Sequence, residues 1–260
     1  MQVIYMKVRV LGCSGGINQS VATTSFLIHE DILIDAGTGV CDLSLQEMRK
    51  IRHIFVTHSH LDHIASIPLL ADTLFDDLVA QPLIVHALPE TISALREHIF
   101  NWTIWPDFTE LPDKSSEVLK LESMPAGSVS ELSGRQIEMI SVNHSVPGVG
   151  YCIKAGDKVI ALSGDTTSNE NFWISLNRYD SLDLLCVEVA FADRDIELEK
   201  VAYHYCPKVL VEDLTKLKHK GRVCISHLKP GCELEIIGQC RAALPGRDIC
   251  ELRSGDVFQL

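Results

Sequence analysis

Short apolar runs that stop at small or polar residues set the rhythm of the first half of the chain. Val8–Leu11 leads into Gly12–Gly16, Ile32–Asp35 into Ala36–Gly39 and Ile54–Val56 into Thr57–His63, with a further run at Thr23–Ile28. Such runs, rich in Val, Ile and Phe and closed by Gly, Asp or Thr, predict strands that deliver loops. Helical spacing follows at Ile64–Leu74 and Thr91–Ile99, with a strand at Leu83–His86 between them. The stretch Leu111–Gly127 mixes Pro, Ser and charge and is expected to be a mobile loop.

The second half repeats this grammar. Gln136–Val142 runs into Asn143–His144, a hairpin turns at Ala155–Gly156–Asp157, and Val159–Leu162 runs into Ser163–Gly164–Asp165. A strand at Leu184–Val189, a helix at Pro207–Lys218 that Gly221 would stop, a strand at Val223–Ser226 and a helix at Glu233–Leu244 complete the pattern. Two β-rich halves trimmed with helices predict an α/β fold of four layers, an αββα sandwich with its helices outside two sheets. No repeat in the sequence itself links the halves. At 260 residues the chain is expected to form one domain over 1–260.

Composition narrows the partners. Lys and Arg number 23 against 35 Asp and Glu, a formal net charge of −12. Long nucleic acid needs clustered Lys and Arg against its phosphates, so a broad polynucleotide surface is not expected. A single phosphate group could still be held at a metal centre, because bound cations add positive charge locally. The nine cysteines are odd in number, lie in apolar stretches such as Leu185–Cys186–Val187 and Val223–Cys224–Ile225, and form no C-x-x-C pair. Reduced core thiols in a cytoplasmic protein are the expectation, with no membrane-spanning run and no cleavable signal.

The strongest chemical signal is Thr57-His58-Ser59-His60-Leu61-Asp62-His63, directly after the β-type run Ile54–Val56. Three histidines and an aspartate within six residues cannot each be satisfied as isolated core side chains in a dry interior. His58 and His60, two apart on an extended segment, point the same way and can share a metal, whereas Asp62 and His63 enter a helix and are offset towards a second. Further donors stand at strand ends: His144 in Asn-His-Ser-Val-Pro, Asp165 in Ser-Gly-Asp-Thr and His227 in Ile-Ser-His-Leu-Lys-Pro. Singly, each would be read as a cap or a surface group. Asp165 differs in having two carboxylate oxygens, enough to bridge two cations.

This pattern, H-x-H-x-D-H followed by His144, Asp165 and His227, resembles the metallo-β-lactamase fold from Lys7 to Leu260. Within that superfamily His58–Ile64 with Ser66-Ile67-Pro68-Leu69 is similar to the class II 3′,5′-cyclic-nucleotide phosphodiesterases, as are the runs Gly12–Gly16, Asp35–Gly39 and Phe100–Pro106. The resemblance implies one metal on His58, His60 and His144, a second on Asp62, His63 and His227, and Asp165 bridging them. It implies zinc, although a His/carboxylate set also accepts manganese or iron. Val187-Glu188-Val189-Ala190-Phe191 and Tyr203-His204-Tyr205-Cys206-Pro207 resemble the paired glutamate and histidine loops of the transfer-RNA 3′-processing endonucleases. By that likeness Glu188 orients His204 near the leaving-group oxygen. Tyr205-Cys206-Pro207 departs from the small hydroxyl residues of those enzymes.

The reaction this implies is opening of a cyclic 3′,5′ ester, cyclic AMP foremost, to the 5′-monophosphate by a water activated between two metals. Asp62 would orient the nucleophile and His204 would protonate the leaving 3′ oxygen. Asp35, in its Asp-Ala-Gly turn, is expected to brace the ligands by hydrogen bonds. Trp102 and Trp105, with Asn101 beside them, could wall a purine ring, or serve as packing or as contacts to a second subunit. A homodimer is a family-level expectation. Competing readings are an RNA-processing phosphodiesterase of the ribonuclease Z type, a thioester or lactone hydrolase, and a non-catalytic metal-bound sensor.

Overall fold

The computed structural model describes residues 6–260. Its first sheet takes β1 (Lys7–Gly12), β2 (Ser25–Ile28), β3 (Ile32–Ile34), β4 (His53–Phe55), β5 (Leu83–Ala87) and β6 (Leu119–Ser123) in chain order. The second takes β7 (Val129–Leu132), β8 (Arg135–Val142), β9 (Gly148–Ala155), β10 (Lys158–Leu162), β11 (Leu184–Glu188), β12 (Arg222–Ser226) and β13 (Ile249–Glu251). The last strand, β14 (Val257–Gln259), returns to pair antiparallel with β1 on the edge of the first sheet.

Both sheets follow one scheme. From β14 to β3, and again from β7 to β10, neighbours are antiparallel. From β3 to β6, and from β10 to β13, they are parallel. The duplicated grammar of the sequence is thus a duplicated topology, and the C-terminal strand fills in the first sheet the place that β7 fills in the second.

The strands are apolar on both faces because each sheet is covered on both sides. On β3 and β4, Ile32, Ile34 and Phe55 point between the sheets, where they meet Met139, Ile153, Ile160 and Leu162. Alternate residues Leu33, Ile54 and Val56 point outward onto Ile67, Leu70 and Leu74 of the helix Ser66–Thr73 and its C-terminal edge. The same alternation holds in the second sheet, where Leu185, Val187, Val223 and Ile225 pack against Leu210, Leu214, Ile236 and Cys240 from helices Pro207–Leu214 and Glu233–Ala243. Four layers, αββα, result as the sequence predicts.

Three expectations change. The stretch Leu111–Gly127 is not loop throughout: Leu119 is buried and β6 pairs in parallel with β5 over five residues, completing the sheet. Gly221 does not stop the Pro207 helix, which ends at Leu214; a Cβ at Gly221 would come within 2.6 Å of the Leu182 carbonyl, so it is kept small by close backbone packing. The cysteines are not all free. Cys224 and Cys250 are register partners on β12 and β13 with Cα atoms 4.7 Å apart, and they form a disulfide within the second sheet, whereas seven others remain thiols.

Asp213 holds the outer layer of the second sheet to the loop after β10. Its carboxylate accepts from Ser168 Oγ (2.8 Å), Asn169 N (3.1 Å), Trp173 Nε1 (2.9 Å) and Tyr205 OH (2.6 Å), and Lys216 Nζ lies 2.7 Å away. Burial opposes its charge, but the bonds from Lys216, Tyr205 and Trp173 hold its carboxyl below the usual carboxylate value. Replacing Asp213 by Ala strands buried donors and is expected to cost about 3 kcal/mol or more in urea unfolding. Because the native pKa is depressed, this contribution is complete above the ordinary value of 3.8 and fades as pH falls through the lower native one. An Asp213→Asn protein whose deficit stays constant down to pH 3 would contradict the account.

Candidate metal centre

The site lies where loops from both sheets meet. Thr57–His60 follow β4 and lead into the short helix Leu61–Ile64, which carries Asp62 and His63. From the second sheet come His144 after β8, Asp165 after β10, Glu188 at the end of β11 and His227 after β12. Within the first half Ala36 N donates to the His63 carbonyl (2.7 Å), and two backbone bonds fasten the halves together: Val149 N to the Thr57 carbonyl (3.0 Å) and His227 N to the Cys13 carbonyl (2.6 Å). Asp35 and His227 adopt left-handed backbone angles, φ +58 and +57, uncommon outside glycine and concentrated at functional sites.

All seven predicted donors converge, in two groups that share one residue. His58, His60, His144 and Asp165 form the first and Asp62, His63, Asp165 and His227 the second, with the donor atoms of each within 4.8 Å of one another. Asp165 Oδ2 stands 3.3 Å from His63 Nε2, 3.3 Å from His227 Nε2 and 3.7 Å from His58 Nε2. His144 Nε2 and His60 Nδ1 are 3.2 Å apart.

The bonds behind these rings decide which nitrogens face inward. Asp35 accepts from Thr57 N (2.7 Å), Thr57 Oγ1 (2.8 Å) and His63 Nδ1 (2.7 Å). Having given its proton to Asp35, the Thr57 hydroxyl accepts from His58 Nδ1 at 3.0 Å. His144 Nδ1 donates to the Tyr203 carbonyl at 2.9 Å. Each of these imidazoles thereby presents Nε2 to the centre. His58 Nε2 and His63 Nε2 are buried without a hydrogen-bond partner. Buried nitrogens without partners, gathered about a shared carboxylate, are donors of the kind a cation takes, so the set fits divalent metal.

Electrostatics agree. Burial lowers the pKa of His58 well below the ordinary imidazole value, takes His144 to about 4 and His227 to about 3, and so keeps these rings neutral, as metal donation requires. Burial also opposes charge on Asp165, but its surroundings, His63 with its retained proton among them, hold it ionised. His63 is the exception: burial works against its proton, yet Asp165 and Asp35 retain it well above the ordinary value. A cation at Nε2 would compete with that proton.

Glu188 and His204 meet as the sequence predicts. His204 Nδ1 donates to Glu188 Oε1 at 2.9 Å, and the same oxygen accepts from Thr166 N (3.0 Å) beside Asp165. Burial opposes the His204 proton, and Glu188 more than compensates, raising its pKa. The His204 ring stacks on His227 at 5.2 Å and meets His144 edge-on at 5.0 Å, which fixes it against both donor groups.

Asn101, Trp102 and Trp105 sit in a turn after the helix that begins at Pro89. Asn101 spends its side chain within that turn, accepting from Thr103 N and Ile104 N and donating to the Glu97 carbonyl. Trp105 packs on the outer core of the first sheet, and Trp102 is 61% exposed. Phe191, whose ring lies 5.7 Å from His204, and Tyr203, whose carbonyl orients His144, went unread in the sequence as site residues. Their position beside the flagged His204 was the available signal.

Asp35 offers a direct check. Asp35→Asn keeps the shape but removes the carboxylate that orients His63 and Thr57, and is expected to weaken metal affinity by about 10- to 100-fold in a competitive chelator titration. Unchanged affinity would mean that the brace is dispensable.

Comparison with known proteins bears on the fold and the family. Residues 43–150 match the family of class-II cAMP phosphodiesterases. A probable 3′,5′-cyclic-nucleotide phosphodiesterase of Yersinia pestis is 26% identical over 86% of this chain and 78% of its own length. The 3′,5′-cyclic-nucleotide phosphodiesterase 1 of Saccharomyces cerevisiae is 34% identical over 69% of this chain, which spans about half (48%) of that protein. A ribonuclease Z of Clostridium beijerinckii is 28% identical over 55% of this chain and 47% of its own length. Among solved structures, unliganded yeast PDE1 superposes with a TM-score of 0.83 at 20% identity over 99% of this chain and all of that one. The metallo-β-lactamase fold protein YhfI from Bacillus subtilis gives 0.79 at 19% identity over 98% and 99%. The chain is a hydrolase of the metallo-β-lactamase fold, related to the class-II cyclic-nucleotide phosphodiesterases.

Proposed function

We propose that the chain is a metal-dependent phosphodiesterase that hydrolyses 3′,5′-cyclic nucleotides, cyclic AMP foremost, to 5′-monophosphates. The observation that carries this reading is the Glu188–His204 pair set against two donor groups that share Asp165. His58, His60, His144 and Asp165 would hold one divalent ion, and Asp62, His63, Asp165 and His227 the other, zinc being the best match to this donor set. Bound there, the ions supply Lewis acidity, neutralising charge on the phosphate and lowering the pKa of the attacking water.

The chain's own groups do the rest. Asp62, one-third exposed and 3.7 Å from His63 Nε2, orients the attacking water. His204, held by Glu188 through Nδ1, presents Nε2 to the leaving 3′ oxygen and delivers the proton the alkoxide needs. Trp102, with Asn101 and Trp105 behind it, serves as the outer contact for the base. The partner is a small phosphodiester, and a homodimer is compatible with it. No helix among the described residues is long and apolar enough to cross a membrane.

A second reading, transfer-RNA processing, has the ribonuclease Z likeness in its favour. The net charge of −12 opposes it, since a polynucleotide needs a basic track.

Purified, metal-analysed protein is expected to release 5′-AMP from cyclic AMP, and His204→Ala to lower kcat by about 100- to 10,000-fold with its metal retained. Cleavage of a transfer-RNA precursor without cyclic AMP turnover would replace this reading by the second. Trp102→Ala is expected to raise KM for cyclic AMP more than it lowers kcat, and unchanged kinetics would remove the base contact.

A further inference from the structure

We propose that Lys229 binds a non-bridging oxygen of the substrate's phosphodiester beside the second donor group, a role that rests on the phosphodiesterase reading above. Lys229 lies two residues after His227, whose backbone is left-handed (φ +57). Its side chain is half-buried, and Nζ donates to the Gly15 carbonyl at 2.9 Å. Gly15 in turn rests on the His227 ring: a Cβ there would come within 3.2 Å of Nε2, the nitrogen that faces Asp165 at 3.3 Å. The ammonium is therefore pinned to the glycine that packs against the His227 ring.

An ammonium has three donors, and among the described residues Gly15 is the one hydrogen-bond partner found for it. No carboxylate of the described residues lies within 4 Å of it. Lys158, Lys200 and Lys216, by contrast, each sit within 3.0 Å of a carboxylate. A cation left without an acid in a protein of net charge −12 is available to an anion. Its field reaches His204, where it opposes the proton that Glu188 holds. His204 and Lys229 both adjoin His227, the first by stacking on its ring and the second two residues along the chain.

A phosphodiester monoanion gains negative charge on its non-bridging oxygens as the nucleophile adds. A fixed ammonium there is worth more in the transition state than in the ground state. Gly15 sets the reach of the side chain, because its carbonyl occupies one donor and leaves two for the phosphate.

The competing role is a staple that merely pins the Gly15 loop against His227, and the test separates the two. Wild type, Lys229→Met and Lys229→Arg would be loaded with metal, analysed for metal content and melting temperature, and titrated calorimetrically with inorganic phosphate. Kinetics on bis-p-nitrophenyl phosphate and cyclic AMP would run beside this. Lys229→Met is expected to weaken phosphate binding and lower kcat/KM on the diester by about 10- to 100-fold, with metal content and melting temperature kept. Lys229→Arg should restore most of the phosphate affinity. Phosphate affinity unchanged in Lys229→Met, or loss of metal in both variants, would overturn the proposal. Weakened phosphate binding in a protein that leaves cyclic AMP intact would uphold the lysine's contact with phosphate and discard the cyclic nucleotide instead.

Discussion

Asp165 is a carboxylate taken almost wholly out of water, 3% exposed, with imidazole nitrogens from both sheets 3.3 to 3.7 Å from one of its oxygens. A buried charge of this kind costs several kcal/mol unless it is compensated on every side. Protonated His63 after β4 compensates it directly, and cations held with His58 after β4 and His227 after β12 would supply the rest, so the loops of two separate sheets have to arrive at one point. The arrangement of those loops follows from that requirement. Gly164, left-handed at φ +61 and packed where a Cβ would meet the Val149 carbonyl at 2.6 Å, lets the backbone turn Asp165 inward. Glu188 bonds Thr166 N from behind and so joins the Asp165 loop to His204 through a single oxygen.

Two tiers of carboxylate organise the centre. Asp165 faces the donor nitrogens, whereas Asp35 stands behind His63 and Glu188 behind His204, each deciding which nitrogen of its ring is exposed. Asp35 and Asp165 follow β3 and β10, strands that hold equivalent places in the two sheets. The duplicated topology therefore places one carboxylate from each half at the centre, one as support and one as shared donor. The fold serves the chemistry by placing strand ends from two similar sheets edge to edge.

Much of this was legible in the sequence because it depends on local rules. The clustering of His58, His60, Asp62 and His63 after an apolar run carries its own spacing argument, whereas His144, Asp165 and His227, each weak alone at its strand end, were assembled into a donor set by the family resemblance. Layering was legible too, since strands apolar on both faces need cover on both sides. What was missed depends on distant contacts. β6 is set by pairing with β5 rather than by its own mixed composition, and the Cys224–Cys250 bridge by the register of β12 against β13. Gly221 reads as a helix stop until the Leu182 carbonyl is seen beside it. Tyr203 acts through its backbone carbonyl, which no side-chain pattern reveals.

The central claim is that two cation sites share Asp165, and metal stoichiometry tests it most directly. Protein loaded with zinc, passed through a desalting column and analysed for metal per chain is expected to carry two ions as wild type. His60→Ala and His227→Ala should each retain about one, and Asp165→Ala should retain neither at the same free zinc concentration. One ion per wild-type chain, or two ions kept by Asp165→Ala, would contradict a shared carboxylate and leave at most a single metal site on this fold.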